Sequence, residues 1–518
     1  MRNLLLKACS LLTVLCGSMM LYADNHPYNL QATSAKKLNN ISKNEPFIIK
    51  DIGVRPIVES NGFKYPIVAF CEYNGVNLAI EASDLRKGTR FEINSCTDLM
   101  LSAFLQSDAM ENLTKNGSQY QLRTELEEEA QEFLYYLNQQ NGILSDLYLE
   151  NYIYSLIYKI LPIPFVPMRT GQIHVVIEKN TSLNAGIYPN GTLCITTGLL
   201  SALQSESELV SVLAHEIAHF VLDHCIVNIN KDITRKKRAE FWSTIATGAV
   251  AAAEVAGSYV AAKKGNYYIP GTATWGAELI SMAVAQSVIT RLGMKYDLQQ
   301  ETEADRYALQ VLKLLGYEKN ALATALSRIK DLEVKEGSYS SYFSGNSHAA
   351  MFERIMKLGA VTPLFEEDYV KMVSFANSAN ALLEFERKYF FSAYTMTKMN
   401  IDNRVATVDD LVINAACQQM LFNSVESTKD WMALLDKALE LSPNNLNALK
   451  YKVIGFLKIK NSPQALHILD QYNSRLTQEL DSINKYYGQQ TWESTFNFLN
   501  TEVEWCNNMR LRLNNGYM

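Results

Sequence analysis

Residues 209–225 read LVSVLAHEIAHFVLDHC. The run contains neither Gly nor Pro and is filled by strong helix formers, so it predicts a helix. Residues four apart on a helix stack on one face. His215 and His219 therefore offer two imidazoles to one metal ion. Glu216, about 100° round the axis, reaches a water on that ion. Two ligands plus a general base is the arrangement that metal-dependent peptide hydrolysis needs. Three of the chain's seven histidines fall in this stretch, which favours a site over an incidental pair on a buried helix.

A third ligand has to come from elsewhere. The metzincin pattern wants Gly three positions after the second His and another His three beyond that; here those places hold Leu222 and Cys225. The stretch 299–312, QQETEADRYALQVL, supplies a carboxylate instead. Glu301 and Asp305 are four apart and share one helical face. Glu301 would ligate the metal, and Asp305 would accept the spare ring N–H of a ligating His, with His215 the first candidate. Glu303 points about 160° away from Glu301 and would be solvated or salt-bridged. The rival choice of Glu303 as ligand leaves Asp305 without its partner four residues earlier, so Glu301 is preferred.

HEIAH followed by E-x-x-A-D, preceded by NAGIYPNGTLCITTGLLSAL and ESELVSVLA, resembles the HtpX/CAAX-protease family of gluzincin zinc metallopeptidases over about residues 150–360. Its periplasmic members with TPR repeats are the most similar in layout. The resemblance implies one Zn²⁺ per chain held by His215, His219 and Glu301, with Glu216 as base. A later family element, [ST]HP with an Arg six residues after the His, matches Ser347, His348 and Arg354, with Ala349 in place of Pro. It implies that His348 is a fourth, regulatory ligand from a loop, filling the position that catalytic zinc leaves for water. Read from its neighbours alone, His348 is an exposed polar residue before a helix capped by Ser347. Arg354 would face the developing oxyanion or pin the loop through a salt bridge.

Around this centre the chain of 518 residues has room for several cores. A net charge of −6 gives no electrostatic reason to expect nucleic acid as a partner. Residues 1–23 read as a signal peptide: Arg2 and Lys7, then an apolar run, then Ala23 before a polar DNHPYN. Export permits disulfides, and Cys71 with Cys96 is the pair proposed. Residues 24–45, rich in Asn, Ser and Lys, predict a flexible linker. FIIKDIGV, YPIVAFCEY, NLAIEA and RFEIN, split by turn signals, predict a small β-rich domain over 46–110.

The metallopeptidase domain spans 115–365. Helical periodicity covers 119–160, a Pro-rich joint stands at 161–167, and strands are expected at 173–179 and 192–197 around an Asn190–Gly191 turn. By resemblance, 192–197 is an edge strand above the metal, onto which an unfolded peptide could add as a further strand. Two apolar stretches within 241–293 read as Ala-rich soluble helices, because Glu254 and Glu278 sit in their middles. Peripheral membrane association of this segment is the alternative. Residues 370–518 predict TPR-like α-helical repeats, with Leu435, Ala438 and Pro443 in the pattern's places and at least three stacked hairpins.

The fold class expected is thus α+β, mostly α: an N-terminal β-rich region, a gluzincin domain with a small edge sheet, and C-terminal helical repeats. The expected function is an exported zinc endopeptidase of the bacterial periplasm or cell envelope. It would act on unfolded or misassembled envelope proteins, with an envelope-protein partner on the TPR-like face. The alternatives are a catalytically plugged TPR scaffold or chaperone, and an integral membrane protease.

Overall fold

The computed structural model describes residues 28–107 (apart from 56, 60, 61 and 65), 118–139, 142–162, 172–226, 296–335, 347–422, 424–486 and 493–515. The signal peptide and the apolar stretches of 241–293 lie outside the described residues. Among the described residues no helix is long and apolar enough to cross a membrane.

The β-branched runs near the N-terminus pair as expected. Strands β1 (Leu30–Ser34), β2 (Pro46–Val54), β5 (Ile67–Tyr73), β6 (Val76–Glu81) and β7 (Thr89–Phe91) form an antiparallel sheet in the order β6-β5-β2-β1-β7. A small hairpin, β3 (Ile57–Glu59) and β4 (Gly62–Lys64), leaves the β2–β5 connection. Asn74 and Gly75 both take positive φ, the backbone that a two-residue β5–β6 turn demands.

Two expectations fail here. Of the expected linker at 24–45, the described part from residue 28 is no linker, for β1 lies inside the sheet between β2 and β7. Leu30, Ala32 and Ser34 are buried in alternation, and Leu38 and Ile41 are buried beyond them. Cys71 and Cys96 do not pair: both are free and buried. The Cys71 thiol turns to the Ala69 carbonyl, and burial pushes Cys71 up to about 12 and Cys96 up to about 11.

Helices α1 (Cys96–Gln106), α2 (Ser118–Gln139) and α3 (Leu147–Ile160) lead to a three-stranded sheet of β8 (His174–Glu178), β9 (Ala185–Ile187) and β10 (Thr192–Thr196). Its order is β8-β10-β9. Strand β10 is therefore interior, paired parallel with β8 and antiparallel with β9, which corrects the expectation of an edge strand at 192–197. The edge beside the metal-binding helix belongs to β9. The expected Asn190–Gly191 turn joins β9 to β10, and Gly191 takes φ +84 where a Cβ would meet the Gln172 carbonyl oxygen at 2.5 Å.

Next come α4 (Thr197–Ala202), α5 (Glu206–Val221), α6 (Leu298–Leu315), α7 (Ala321–Lys335) and α8 (Ser347–Leu358). Ser205 caps α5, and Glu206 and Glu208 in its first turn favour its dipole. Asp297 and Gln300 form a capping box on α6, and Gly316 ends it at φ 76. Helix α6 packs along α5 on one side and α1 on another. One hydrophobic cluster runs from Tyr28 through Ala376, so the N-terminal sheet and the peptidase region share a core.

The remaining helices are α9 (Glu367–Met372), α10 (Ser374–Glu386), α11 (Phe390–Asp402), α12 (Val408–Leu421), α13 (Val425–Leu441), α14 (Leu446–Lys458), α15 (Ser462–Tyr486) and α16 (Glu493–Asn514). From α10 onward each packs on the next, in two cores centred on Trp431 and Tyr472. The peptidase core does not close at 365. Helix α10 packs on α4, and Asn380 donates to the Thr197 carbonyl and the Ser201 hydroxyl. The whole is a mostly α, α+β fold.

Candidate metal centre

The two long helices α5 and α6 each present one polar face to the other. On α5, His215 and His219 stand one turn apart and are buried. Their Nε2 atoms lie 3.1 Å apart. On α6, Glu301 places one carboxylate oxygen 3.5 Å from His215 Nε2 and the other 3.6 Å from His219 Nε2. A tetrahedral zinc with bonds of about 2.0–2.1 Å holds neighbouring ligand atoms about 3.3 Å apart. The three donors fit such an ion, and among the described residues they are the group of this kind.

Asp305, one turn beyond Glu301, lies with Oδ1 3.0 Å from His215 Nδ1, although off the line of a good ring N–H hydrogen bond. Arg354 of α8 closes the cluster. Its Nε and Nη2 donate to the two Asp305 oxygens at 2.9 and 2.7 Å, and its Nη1 touches Glu301. Of the two roles left open for Arg354, the ion pair is the one its contacts describe. Burial disfavours the Asp305 charge, but His215 and Arg354 outweigh it and hold the carboxyl at about 2. Burial likewise opposes an imidazolium at His215, yet contacts with Asp305 and Glu301 lift it to about 10. Burial, with His215 and His224 nearby, keeps His219 neutral. Glu216, beside this pair, is pushed up to about 7, first by burial and then by the Glu301 charge. Its carboxylate thus sits where a proton is taken up and released near neutral pH.

Glu303 is turned away from Glu301. It accepts from Gln299 at 2.9 Å and lies 3.3 Å from His224 Nε2, so the rival ligand assignment has no support. His348 starts α8 in the first turn with Ser347; its side chain lies outside the described residues.

Two contacts were not foreseen. His224 Nδ1 approaches His219 Nδ1 to 2.8 Å, and the Tyr296 ring stacks on the His219 ring at 3.6 Å. The only trace of the first in the sequence is a third His five positions after the second. Nothing local announces Tyr296.

The profile of Peptidase family M48 matches residues 150–411, running through the metal cluster and on into α12. Among curated proteins, the β-barrel assembly-enhancing protease of Escherichia coli K12 is 25% identical over 239 residues, 45% of this chain and 43% of that one. A putative β-barrel assembly-enhancing protease of Vibrio cholerae is 29% identical over 153 residues, 30% of this chain and 27% of its own. Metalloprotease LoiP of E. coli K12 is 27% identical over 172 residues, 33% and 56% of the two chains. The matched segment thus spans less than two thirds of each relative. With the family profile covering half the sequence and its HExxH and Glu301 donors meeting at one point, this chain belongs to peptidase family M48.

Proposed function

We propose that the chain is an exported zinc-dependent endopeptidase acting on unfolded or misassembled cell-envelope proteins. The observation that carries the reading is the meeting of His215, His219 and Glu301 within 3.1–3.6 Å of one another, next to a carboxylate whose proton affinity is set near neutrality. A zinc ion held by these three residues would supply Lewis acidity for peptide hydrolysis. Glu216 takes a proton from the attacking water at its carboxylate and returns it to the leaving amine. Asp305 holds the His215 ring from behind. Arg354 keeps Glu301 and Asp305 oriented and ties α8 to the site.

Among the described residues β9 is the outer strand of this sheet, against α5, and an extended peptide adding there as a strand is the binding mode we propose. Main-chain pairing there would give binding with little side-chain preference, which suits unfolded substrates. Relatives whose names describe assistance to β-barrel assembly support the envelope as the compartment, as does the leader read at 1–23. A fourth-ligand role for His348 and a partner on the C-terminal helices belong to the same proposal.

The test is Glu216→Gln. Purified variant and wild type are incubated with an unfolded outer-membrane β-barrel protein, and each is returned to a null strain. The expected result is zinc retention with cleavage reduced by about 10²–10⁴-fold or more and no rescue. Full rescue by the inactive variant would replace the enzyme with a scaffold.

A further inference from the structure

We propose that His224 and Glu303 are positioning residues: they fix the ring tautomer of His219 and so set the affinity of the centre for its metal. The inference rests on the zinc reading above and deepens it.

Helix α5 ends at Val221, and Asp223 follows in the left-handed region at φ 59. The turn at that residue brings the His224 ring against His219 of the helix just left. Arg123 of α2 pins the turn, with Nη2 2.5 Å from the Asp223 carboxylate and both side chains buried. His224 Nδ1 thereby reaches 2.8 Å from His219 Nδ1, and its Nε2 stands 3.3 Å from Glu303 Oε2.

With a metal on His219 Nε2, these contacts leave one arrangement of protons. A neutral His219 that gives Nε2 to a metal carries its proton on Nδ1. That N–H has His224 Nδ1 as its acceptor, so His224 Nδ1 is bare. The neutral His224 ring then bears its proton on Nε2, where Glu303 accepts it. The opposite order, begun from a proton on His219 Nε2, would block the metal. Glu303 and His224 also line a surface cavity of about 520 Å³ bounded by α1, the end of α5 and α6. Glu303 therefore anchors the chain from the open side. It does so from the α6 turn that carries Glu301, so one helix supplies both a ligand and the anchor of another ligand's tautomer.

The competing explanation is packing: His224 would only fill space beside the His219 and Tyr296 rings, which lie 4.9 and 5.9 Å from its own. Two variants separate these. His224→Phe keeps a ring and loses the acceptor; His224→Asn loses the ring and keeps an acceptor oxygen near the place of Nδ1. Zinc affinity is measured on the purified full chain by competition with a chromophoric chelator. The expected result is about 10–100-fold weaker binding for His224→Phe, recovery to within about threefold of wild type for His224→Asn, and a few-fold loss for Glu303→Gln. Wild-type affinity in His224→Phe, or equal losses in Phe and Asn variants, would overturn the relay while leaving the metal centre intact. A wild-type chain that binds no zinc would instead overturn the functional reading and the relay with it.

Discussion

Replacing Arg354 by Met removes the cation that sits between two carboxylates on one helical face. Arg354 reaches both oxygens of Asp305 at 2.7 and 2.9 Å and touches Glu301, with only 11% of its side chain exposed. Breaking a buried charge cluster by deleting one partner costs about 3–5 kcal/mol, because the remaining charges stay desolvated. His215, which carries a proton in this environment, compensates part of the loss, so the metal-free variant should lose about 3 kcal/mol. At about 2–4 °C per kcal/mol for units of this size, its Tm falls on the order of 10 °C. Zinc changes the comparison. A divalent ion at Glu301 takes over the compensation that Arg354 supplied, so the loss shrinks when the metal is bound. By linkage the variant then binds zinc more tightly, tenfold for each ~1.4 kcal/mol by which the two losses differ. Thermal unfolding with chelator and with excess zinc, for wild type and variant, reads both quantities. Equal destabilisation with and without zinc would show that Arg354 is not coupled to the metal ligands, and no destabilisation without zinc would refute the buried network.

Glu178 gives a pH test away from the metal. One of its oxygens accepts from Asn180 at 2.9 Å, the other has no partner among the described residues, and burial raises its carboxyl from 4.5 to about 7. The folded chain thus holds this proton more tightly than the unfolded chain. The stability it contributes is full below about pH 4.5 and is lost as pH rises through 7, up to about 3 kcal/mol. Glu178→Gln should flatten stability between those limits, and parallel wild-type and variant curves would exclude the effect. For His348, substitution by Ala should increase cleavage of an unfolded substrate if the residue latches the site; unchanged cleavage would remove the latch from the account.

How much of this was readable beforehand depends on the range of the interaction. HEIAH and the Glu301–Asp305 pair were legible because a period of four places both groups of each helix on one face, whatever the rest of the chain does. The runs that became β2, β5 and β6 were legible from alternation and turn residues. Strand β1 was not: LQATS carries a single large apolar residue within a polar context, and its place is fixed by partners on both sides. The interior position of β10 was hidden for a related reason, since strand order is a property of pairing and not of any one strand. Export and membership of one small domain suggested Cys71–Cys96, but sharing a domain does not set the distance between a strand and a helix. The turn at Asp223 made His224, counted in the sequence but given no role there, a neighbour of His219, a contact that depends on one backbone angle.

The central claim is that three side chains from two helices hold one zinc ion. Metal analysis of the purified full-length chain tests it most directly, beside Glu301→Gln and a His215→Ala/His219→Ala double variant. The expected result is one zinc per wild-type chain, weakened retention in Glu301→Gln and none in the double variant, with each protein folded by circular dichroism. A wild-type chain free of zinc after exposure to the metal, or a double variant that keeps it, would contradict the account.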